Sequence, residues 1–480
     1  MSLRRTKIIC TLGPSVDSEE MIRKLILGGM NCARFNFSHG THASHLATYE
    51  RLRRVRDTLG RPVAAMLDTK GPEIRIRAFK DGPITLKEGD QFTLSTWDGE
   101  GNQNWVSVTY SNLHNEVQVG TRILVDDGLI CLEVESIEGQ QIHCVVRNGG
   151  TLSNNKSINI PDVKIALPSL TEKDREDLRF AAENDFDFIA ASFIRKAQDI
   201  LDIREELAKW GSESIRIIAK IENREGVDNL EEILKVADGV MVARGDLGVE
   251  IPAHEVPRLQ KRMIHWGLAQ GKVVVTATQM LDSMMRNPRP TRAEVSDVAN
   301  AVYDGTSCVM LSGETAGGKY PLEALAAMDQ IVRAAEDDIH YWARFERDYE
   351  QNRQAASSID RALCHTACLT AMDLNASAIL CATFSGHAAR MVSRFRPQCP
   401  IVGLTTNEKV RRQLSLSWGV EPLLYGAVDS TDRLFSLCVD VSRKEGYIKV
   451  GDTVVITAGV PLSAKGTTNL LKAQVVEETL

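Results

Sequence analysis

Eight short apolar runs constrain this chain more than anything else in it. They are Thr6–Leu12, Cys32–Phe37, Val63–Thr69, Phe186–Phe193, Arg216–Glu222, Gly239–Ala243, Val273–Thr278 and Cys308–Leu311. Strands that apolar belong in a parallel sheet covered on both faces. Segments with helical spacing separate most of them, such as Ser18–Leu27 and His42–Leu59. Eight strand–helix units on one non-repeating chain match the count of a (β/α)8 TIM barrel. A doubly wound sheet of eight strands is the alternative.

The stretch Arg216–Glu250 is the centre of this pattern. Its first strand carries Lys220 and Glu222, which alternation places on one face about 7 Å apart. Asn223–Ala237 has helical spacing, and the apolar strand Gly239–Ala243 runs into Arg244, Gly245 and Asp246. One ammonium and two carboxylates therefore collect where neighbouring parallel strands end, which is where α/β proteins build sites. Glu222 and Asp246 are hard oxygen donors suited to Mg2+ or Mn2+. Gly245 lets a ligand approach the backbone. Such a set suits an anionic substrate whose charge moves during reaction.

Two further regions have a different grammar. Between Gly71 and about Pro168, short alternating runs broken by Gly, Asn and Asp predict an inserted small all-β barrel, residues 71–168, placed as a lid on the site. Thr171 and Asp174 form a capping-box start where the helical spacing returns, so the catalytic barrel is expected to comprise 1–70 and 169–345. A helix is expected from Pro321 to about Tyr349, then a polar linker, Glu350–Ser358. Five strands follow, Ala378–Ala382, Ile401–Leu404, Gly419–Leu424, Asp452–Ala458 and one near Ala473–Glu477, which predict a C-terminal doubly wound α/β domain over 346–480.

A net charge of −7 argues against nonspecific nucleic-acid binding. The 10 cysteines form no C-x-x-C pair, and Cys364 and Cys368 fall on one apolar helix face, so they read as core. No secretory segment and no apolar run of spanning length appears, which leads us to expect a cytoplasmic protein with no membrane partner.

The polar residues at the strand ends are Arg34, Asn36, Ser38, Asp68, Thr69, Lys220, Glu222, Gly245, Asp246, Thr278 and Glu314. Seven segments carry a resemblance: ARFNFSHG (33–40), MLDTKGPEIR (66–75), IAKIEN (218–223), VMVARGDLGVE (240–250), TATQML (276–281), RPTRAEVSDVANAVYDG (289–305) and MLSGETAGGKYP (310–321). In wording and order they resemble the pyruvate kinase family, with the insertion at the family's position. The short lead into the first strand resembles its bacterial forms.

The resemblance implies phosphoryl transfer from phosphoenolpyruvate to ADP, the last step of glycolysis, with Mg2+ (or Mn2+) and K+ as cofactors. It implies catalytic roles for Lys220, Thr278 and Arg34, and substrate contacts at Arg34, Lys220, Gly245, Asp246 and Thr278. By that resemblance Lys220 would neutralise the moving phosphoryl group, and Thr278 would relay a proton from water toward the enolate carbon. Asn36, His39, Arg75 and Lys156 match nucleotide-contacting positions. Glu222 and Asp246 match the Mg2+ ligands, and Asn36, Ser38, Asp68 and Thr69 the K+ ligands. A homotetramer and allosteric regulation through the C-terminal domain are also implied. Candidate effector residues are Thr383, Ser385, Gly386, His387, Lys465, Gly466 and Thr467. His387 and Ala388 depart from a loop typical for fructose 1,6-bisphosphate, so a sugar monophosphate or AMP is the expected effector. Two rivals are a metal-dependent aldolase or lyase on a similar barrel, and a non-enzymatic sugar-phosphate or nucleotide sensor. The first has no use for a nucleotide-closing lid or a K+ cluster, and the second would have no need of Lys220, Glu222 and Asp246 together.

Overall fold

The computed structural model describes residues 3–352, 358–461 and 468–478. Eight parallel strands close into a barrel: β1 (Lys7–Thr11), β2 (Cys32–Asn36), β3 (Ala64–Asp68), β4 (Phe188–Ala191), β5 (Arg216–Ile221), β6 (Gly239–Ala243), β7 (Val273–Ala277) and β8 (Cys308–Leu311). Each strand pairs with the next in sequence, and β1 pairs with β8. The doubly wound alternative is thereby excluded.

Alternation splits each strand between two cores. Ile9, Cys32, Met66, Ala190, Ile218, Met241, Val275 and Met310 pack together in the lumen. Their neighbours Ile8, Ala33, Leu67, Ile189, Ile217, Val242, Val274 and Leu311 pack outward with the helices. This double burial is why the strands read as unbroken apolar runs. Leu416 of the C-terminal region joins the lumen cluster, and its carbonyl accepts from Cys308 Sγ at the barrel's N-terminal end.

Between β3 and β4 the chain builds a seven-stranded sheet with its own core, including Phe92, Leu94, Val106, Leu132 and Ile142. Its two edge strands, Ile74–Arg75 and Trp105–Ser107, meet through a bridge from Ile76 to Val108, which rolls the sheet into a small barrel. The C-terminal sheet contains β9 (Ala378–Ala382), β10 (Ile401–Thr405), β11 (Val420–Leu424), β12 (Thr453–Ala458) and β13 (Leu470–Val475), in the order β11-β10-β9-β12-β13. All its pairings are parallel except that of β13, which runs antiparallel to β12.

Four expectations need correction. The helix expected over Asn223–Ala237 is two helices, Arg224–Asp228 and Leu230–Val236. The break at Asn229 lets its side chain donate to the Arg195 carbonyl at 2.9 Å. The helix starting at Pro321 stops at Asp338, and Tyr341–Asn352 is a separate helix. Ile339 is extended there, and buried Tyr341 packs on Trp418 with ring centroids 5.2 Å apart. The last strand starts at Leu470, three residues before the expected Ala473, because all six of its residues pair with β12. Of the expected linker, 350–352 instead end the helix Tyr341–Asn352, 353–357 lie outside the described residues, and Ser358 caps the helix Ile359–Asp373.

Candidate active site

Continuing each lumen-facing series by two residues reaches the barrel's C-terminal rim. From Ile9 the series reaches Thr11, from Cys32 Arg34, from Met66 Asp68, from Ala190 Ser192 and from Ile218 Lys220. Parity that buries apolar side chains lower down therefore gathers these polar ones at the top. Lys220 Nζ donates to Asp68 Oδ1 at 3.0 Å and to Ser192 Oγ at 2.6 Å, and lies 3.0 Å from Glu222 Oε1. Arg34 Nε donates to Asp68 Oδ2 at 2.6 Å, and its terminal nitrogen donates to Thr11 Oγ1 at 3.0 Å. Glu222 Oε2 accepts the Phe193 N–H at 2.6 Å. Ser192 Oγ donates to the Thr69 carbonyl at 2.7 Å, and Thr69 Oγ1 accepts the Ser192 N–H at 3.2 Å.

The electrostatics follow from burial and charge order. Burial pulls against the charge on Lys220, but Asp68 and Glu222 outweigh it and raise its pKa above the ordinary lysine value. Burial likewise opposes the charge on Asp68, and Arg34 and Lys220 overcome it, so this carboxylate is held below the usual range. Glu222 is shifted up, by burial first and further by the like charge of Asp246, with Lys220 opposing. A divalent cation between Glu222 and Asp246 would relieve that repulsion, so this donor set fits one. Among the described residues no group of three His, Cys, Asp or Glu side chains forms a ready metal cage. An ion on these two carboxylates would complete its shell with water or substrate oxygens, as Mg2+ does.

Arg34, Lys220, Glu222 and Asp246 open into a cleft of about 610 Å³ shared with the inserted barrel. Arg75, Asp126, Lys156 and Asn159 line its other wall. Arg75 pairs with Glu73 at 2.6 Å and Lys156 with Asp126 at 2.9 Å. Asn36, Ser38 and exposed His39 also line the cleft. Asn36 is the register neighbour of Asp68, and its Oδ1 accepts the Ser38 N–H at 3.1 Å. Asp68 and Thr69 are buried, and both Asp68 oxygens are already engaged. A monovalent ion at these four residues would share Asp68 with Arg34 and Lys220.

Thr278 and Gly245 are half-buried and bonded to each other, Gly245 N–H donating to Thr278 Oγ1 at 2.7 Å. Thr278 has φ 68° and Gln279 φ 53°. A β-branched residue in the left-handed region is an outlier that its surroundings must enforce. Arg244 enforces it by donating to the Ala277 and Thr278 carbonyls at 3.2 and 2.7 Å while it pairs with Asp297 at 2.7 Å. Buried Glu314 accepts the Leu281 N–H at 3.1 Å and the Ser312 N–H at 2.7 Å. Glu314 is thus a brace for the Thr278 loop and not a cleft residue.

Family models agree with this geometry. Residues 3–325 match the model described as pyruvate kinase, barrel domain, and residues 361–474 that described as pyruvate kinase, alpha/beta domain. The chain is 48% identical to a pyruvate kinase of Clostridium acetobutylicum over 478 residues, covering 99% of this chain and 100% of the relative. It is 49% identical to one from Geobacillus stearothermophilus over 481 residues, covering 99% of this chain and 81% of the relative. The chain belongs to the pyruvate kinase family. A crystal structure of a pyruvate kinase from Cryptosporidium parvum superposes with a TM-score of 0.94 at 39% identity, covering 98% of this chain and 96% of that one.

In this member of the pyruvate kinase family the loop Thr383–Arg390 borders a second cavity of about 200 Å³, lined by Thr383, Phe384, Ser385, His387, Tyr425 and Thr468 among others. The His387 ring lies 3.3 Å from Asp360, which also accepts the Thr468 N–H at 3.2 Å. Gly386, at φ 77°, caps the helix His387–Ser393. Lys465, Gly466 and Thr467 lie outside the described residues.

The sequence reading missed Ser192, Arg244 and Glu250. Ser192 was signalled by its place two residues beyond Ala190 in the lumen series. Glu250 accepts from Asn159 Nδ2 of the inserted barrel at 2.9 Å, and no local pattern announces a contact across 91 residues.

Proposed function

We propose that the chain transfers the phosphoryl group of phosphoenolpyruvate to ADP, giving pyruvate and ATP. The observation that carries this is a buried lysine held charged by Asp68 and Glu222 at the mouth of the cleft. Phosphoryl transfer asks for positioning and neutralisation of spreading negative charge. A lysine with a raised pKa supplies that charge and does not give up its proton at neutral pH. Arg34, pinned by Asp68 and Thr11, adds a second fixed cation. Glu222 and Asp246 would hold Mg2+, which when bound supplies Lewis-acid stabilisation of the substrate's oxygens. Asn36, Ser38, Asp68 and Thr69 would hold K+.

Thr278 is assigned to the proton side of the reaction, beside the enolate's methylene carbon. Its hydroxyl donates to the Ala277 carbonyl at 2.6 Å, so relaying a proton requires it to turn from that carbonyl toward the cleft. Arg75 and Lys156 would exchange Glu73 and Asp126 for the diphosphate of ADP as the inserted domain closes. In this reading residues 1–70 and 169–345 are catalytic, 71–168 form the lid, and 346–480 are regulatory.

The effector reading rests on the cavity at Thr383–His387 and on the Ser385 carbonyl, which accepts from Arg390 at 3.2 Å and from Arg216 of β5 at 3.1 Å. Strand β5 carries Lys220 near its other end, so a phosphorylated effector has a physical route to the site. A sugar monophosphate or AMP in a homotetramer is the form proposed. The deciding experiment is ADP-dependent pyruvate formation with Mg2+ and K+ varied and sugar monophosphates and AMP titrated. No pyruvate under any of these conditions overturns the assignment.

A further inference from the structure

The inserted barrel returns to the main barrel through a strap, residues 160–168, which turns at 161–162, with Asp162 at φ 63°, and then runs on without helix or strand. Val163, Ile165 and Leu167 on this strap pack against the inserted barrel's core. Its polar backbone edge faces two ways. The Ala166 N–H donates to Glu116 Oε2 of the inserted barrel at 3.2 Å. The Ile165 and Leu167 carbonyls instead accept from the two terminal nitrogens of Arg195, at 2.8 and 2.6 Å. A planar guanidinium spans two carbonyls two residues apart in a way an ammonium cannot.

Arg195 is itself fixed. Its N–H donates to Asp199 Oδ2 at 2.9 Å, and its carbonyl accepts from Asn229 at 2.9 Å. It closes the segment Ser192–Arg195, the same segment that holds the chemistry in place. Ser192 Oγ accepts from Lys220, Phe193 N–H donates to Glu222, and Ile194 N–H donates to the Lys220 carbonyl at 3.3 Å. Phe193 holds φ 56°, so the segment has one enforced shape. Its side chain 12% exposed, Arg195 also lines the cleft.

We propose that Arg195 is a positioning residue that sets the inserted barrel, with its Arg75 and Lys156, against Lys220 and Glu222 by clamping the strap. The proposal rests on the functional reading above for its kinetic arm only. Arg195→Met should speed hydrogen exchange over 160–168, at Ala166 above all, and leave exchange in β5 and β6 unchanged. It should raise the KM for ADP by about tenfold, with a much smaller change in the KM for phosphoenolpyruvate. Arg195→Lys, which keeps the charge but not the fork, should lie between the two and serves if the Met variant does not fold. Glu116→Ala, releasing the strap from its other side, should be non-additive with Arg195→Met in the KM for ADP. Unchanged exchange over the strap overturns the proposal, as does equal loss on both substrates. If the wild-type protein forms no pyruvate, the functional reading falls while the exchange result still decides the clamp.

Discussion

At the C-terminal end of the barrel Asp68 lies between Arg34 and Lys220; at the N-terminal end Asp187 lies between Arg412 and Arg56. Both aspartates are buried at the mouth of a parallel barrel and both face cations. At Asp187 one oxygen accepts from Arg412 at 2.8 Å and the other accepts the Ala65 N–H at 2.9 Å. Arg412 continues to Asp185 at 2.8 Å, so the cation is spent on two carboxylates. At Asp68 the cations Arg34 and Lys220 also line an open cleft, with Glu222 and Asp246 beside them. Burial raises Asp187 above the ordinary aspartate value despite its cations, whereas at Asp68 Arg34 and Lys220 overcome burial and lower it. Buried charge alone therefore does not mark a site. What sets the Asp68 end apart is that the residues bearing its charge also line a space a substrate can enter.

The sharpest test exchanges one cation at each end. Lys220→Met should lower turnover by at least about 10²–10³-fold, the scale for losing one preorganised stabiliser of developing charge. Mg2+ binding, read by a titration that does not depend on turnover, should survive. Arg412→Met leaves Asp187 buried without its near partner, which should destabilise the fold by about 3–5 kcal/mol. Turnover per folded molecule should stay within about twofold, because distant sites act independently. The comparison breaks if Arg412→Met removes activity from folded protein or Lys220→Met leaves it intact.

A smaller effect is expected at Asp246. Asp246→Asn removes an anionic donor beside Glu222. The Mg2+ concentration for half-maximal activity should rise by at least about tenfold, the scale seen when even an outer partner of a metal ligand is lost. An unchanged Mg2+ requirement would take Asp246 out of the metal site.

The rim was legible in the sequence because strand parity is local. Arg34, Asp68 and Lys220 each sit two residues past an apolar lumen residue, and the eye can count that. The (β/α)8 barrel and the C-terminal doubly wound sheet followed from the same counting, and the inserted barrel from its change of period. The N-terminal end was not legible. Asp187 and Arg412 are 225 residues apart, and nothing near either one says that the C-terminal region seats Leu416 in the lumen. The helix break at Asn229 was hidden for a related reason. The residue reads as helical until its partner, the Arg195 carbonyl on another element, is known. Backbone strain at Phe193 and Thr278 carries no compositional signal either, since neither is a residue that favours φ > 0.

The smallest expected effect concerns Asp238, a second carboxylate at the barrel's N-terminal end. It accepts from Arg216 at 2.8 Å, from Arg204 at 2.8 Å and from the Ile217 N–H at 2.9 Å. Burial opposes its charge, but Arg216 and Arg204 outweigh burial and its pKa lies below the ordinary aspartate value. A folded-state pKa below the unfolded one means that the unfolded chain binds the proton first as pH falls. The stabilisation is therefore complete above the unfolded value, about pH 4, and is lost as pH drops through the folded value. Asp238→Asn should lower stability by about 1.5–2 kcal/mol at pH 7, the low end of the range for hydrogen bonds to a charged group, because Arg204 and Arg216 are partly exposed. The gap to wild type, measured by urea unfolding from pH 7 downward, should hold to about pH 5 and narrow below about pH 4. A gap independent of pH would assign Asp238 a packing role and not a charged one. Because Arg216 also holds the Ser385 carbonyl, any regulation through the Thr383–Arg390 loop should weaken in the same variant while unregulated turnover at pH 7 stays near wild type. Loss of that turnover would mean that the two ends of the barrel are not separable after all.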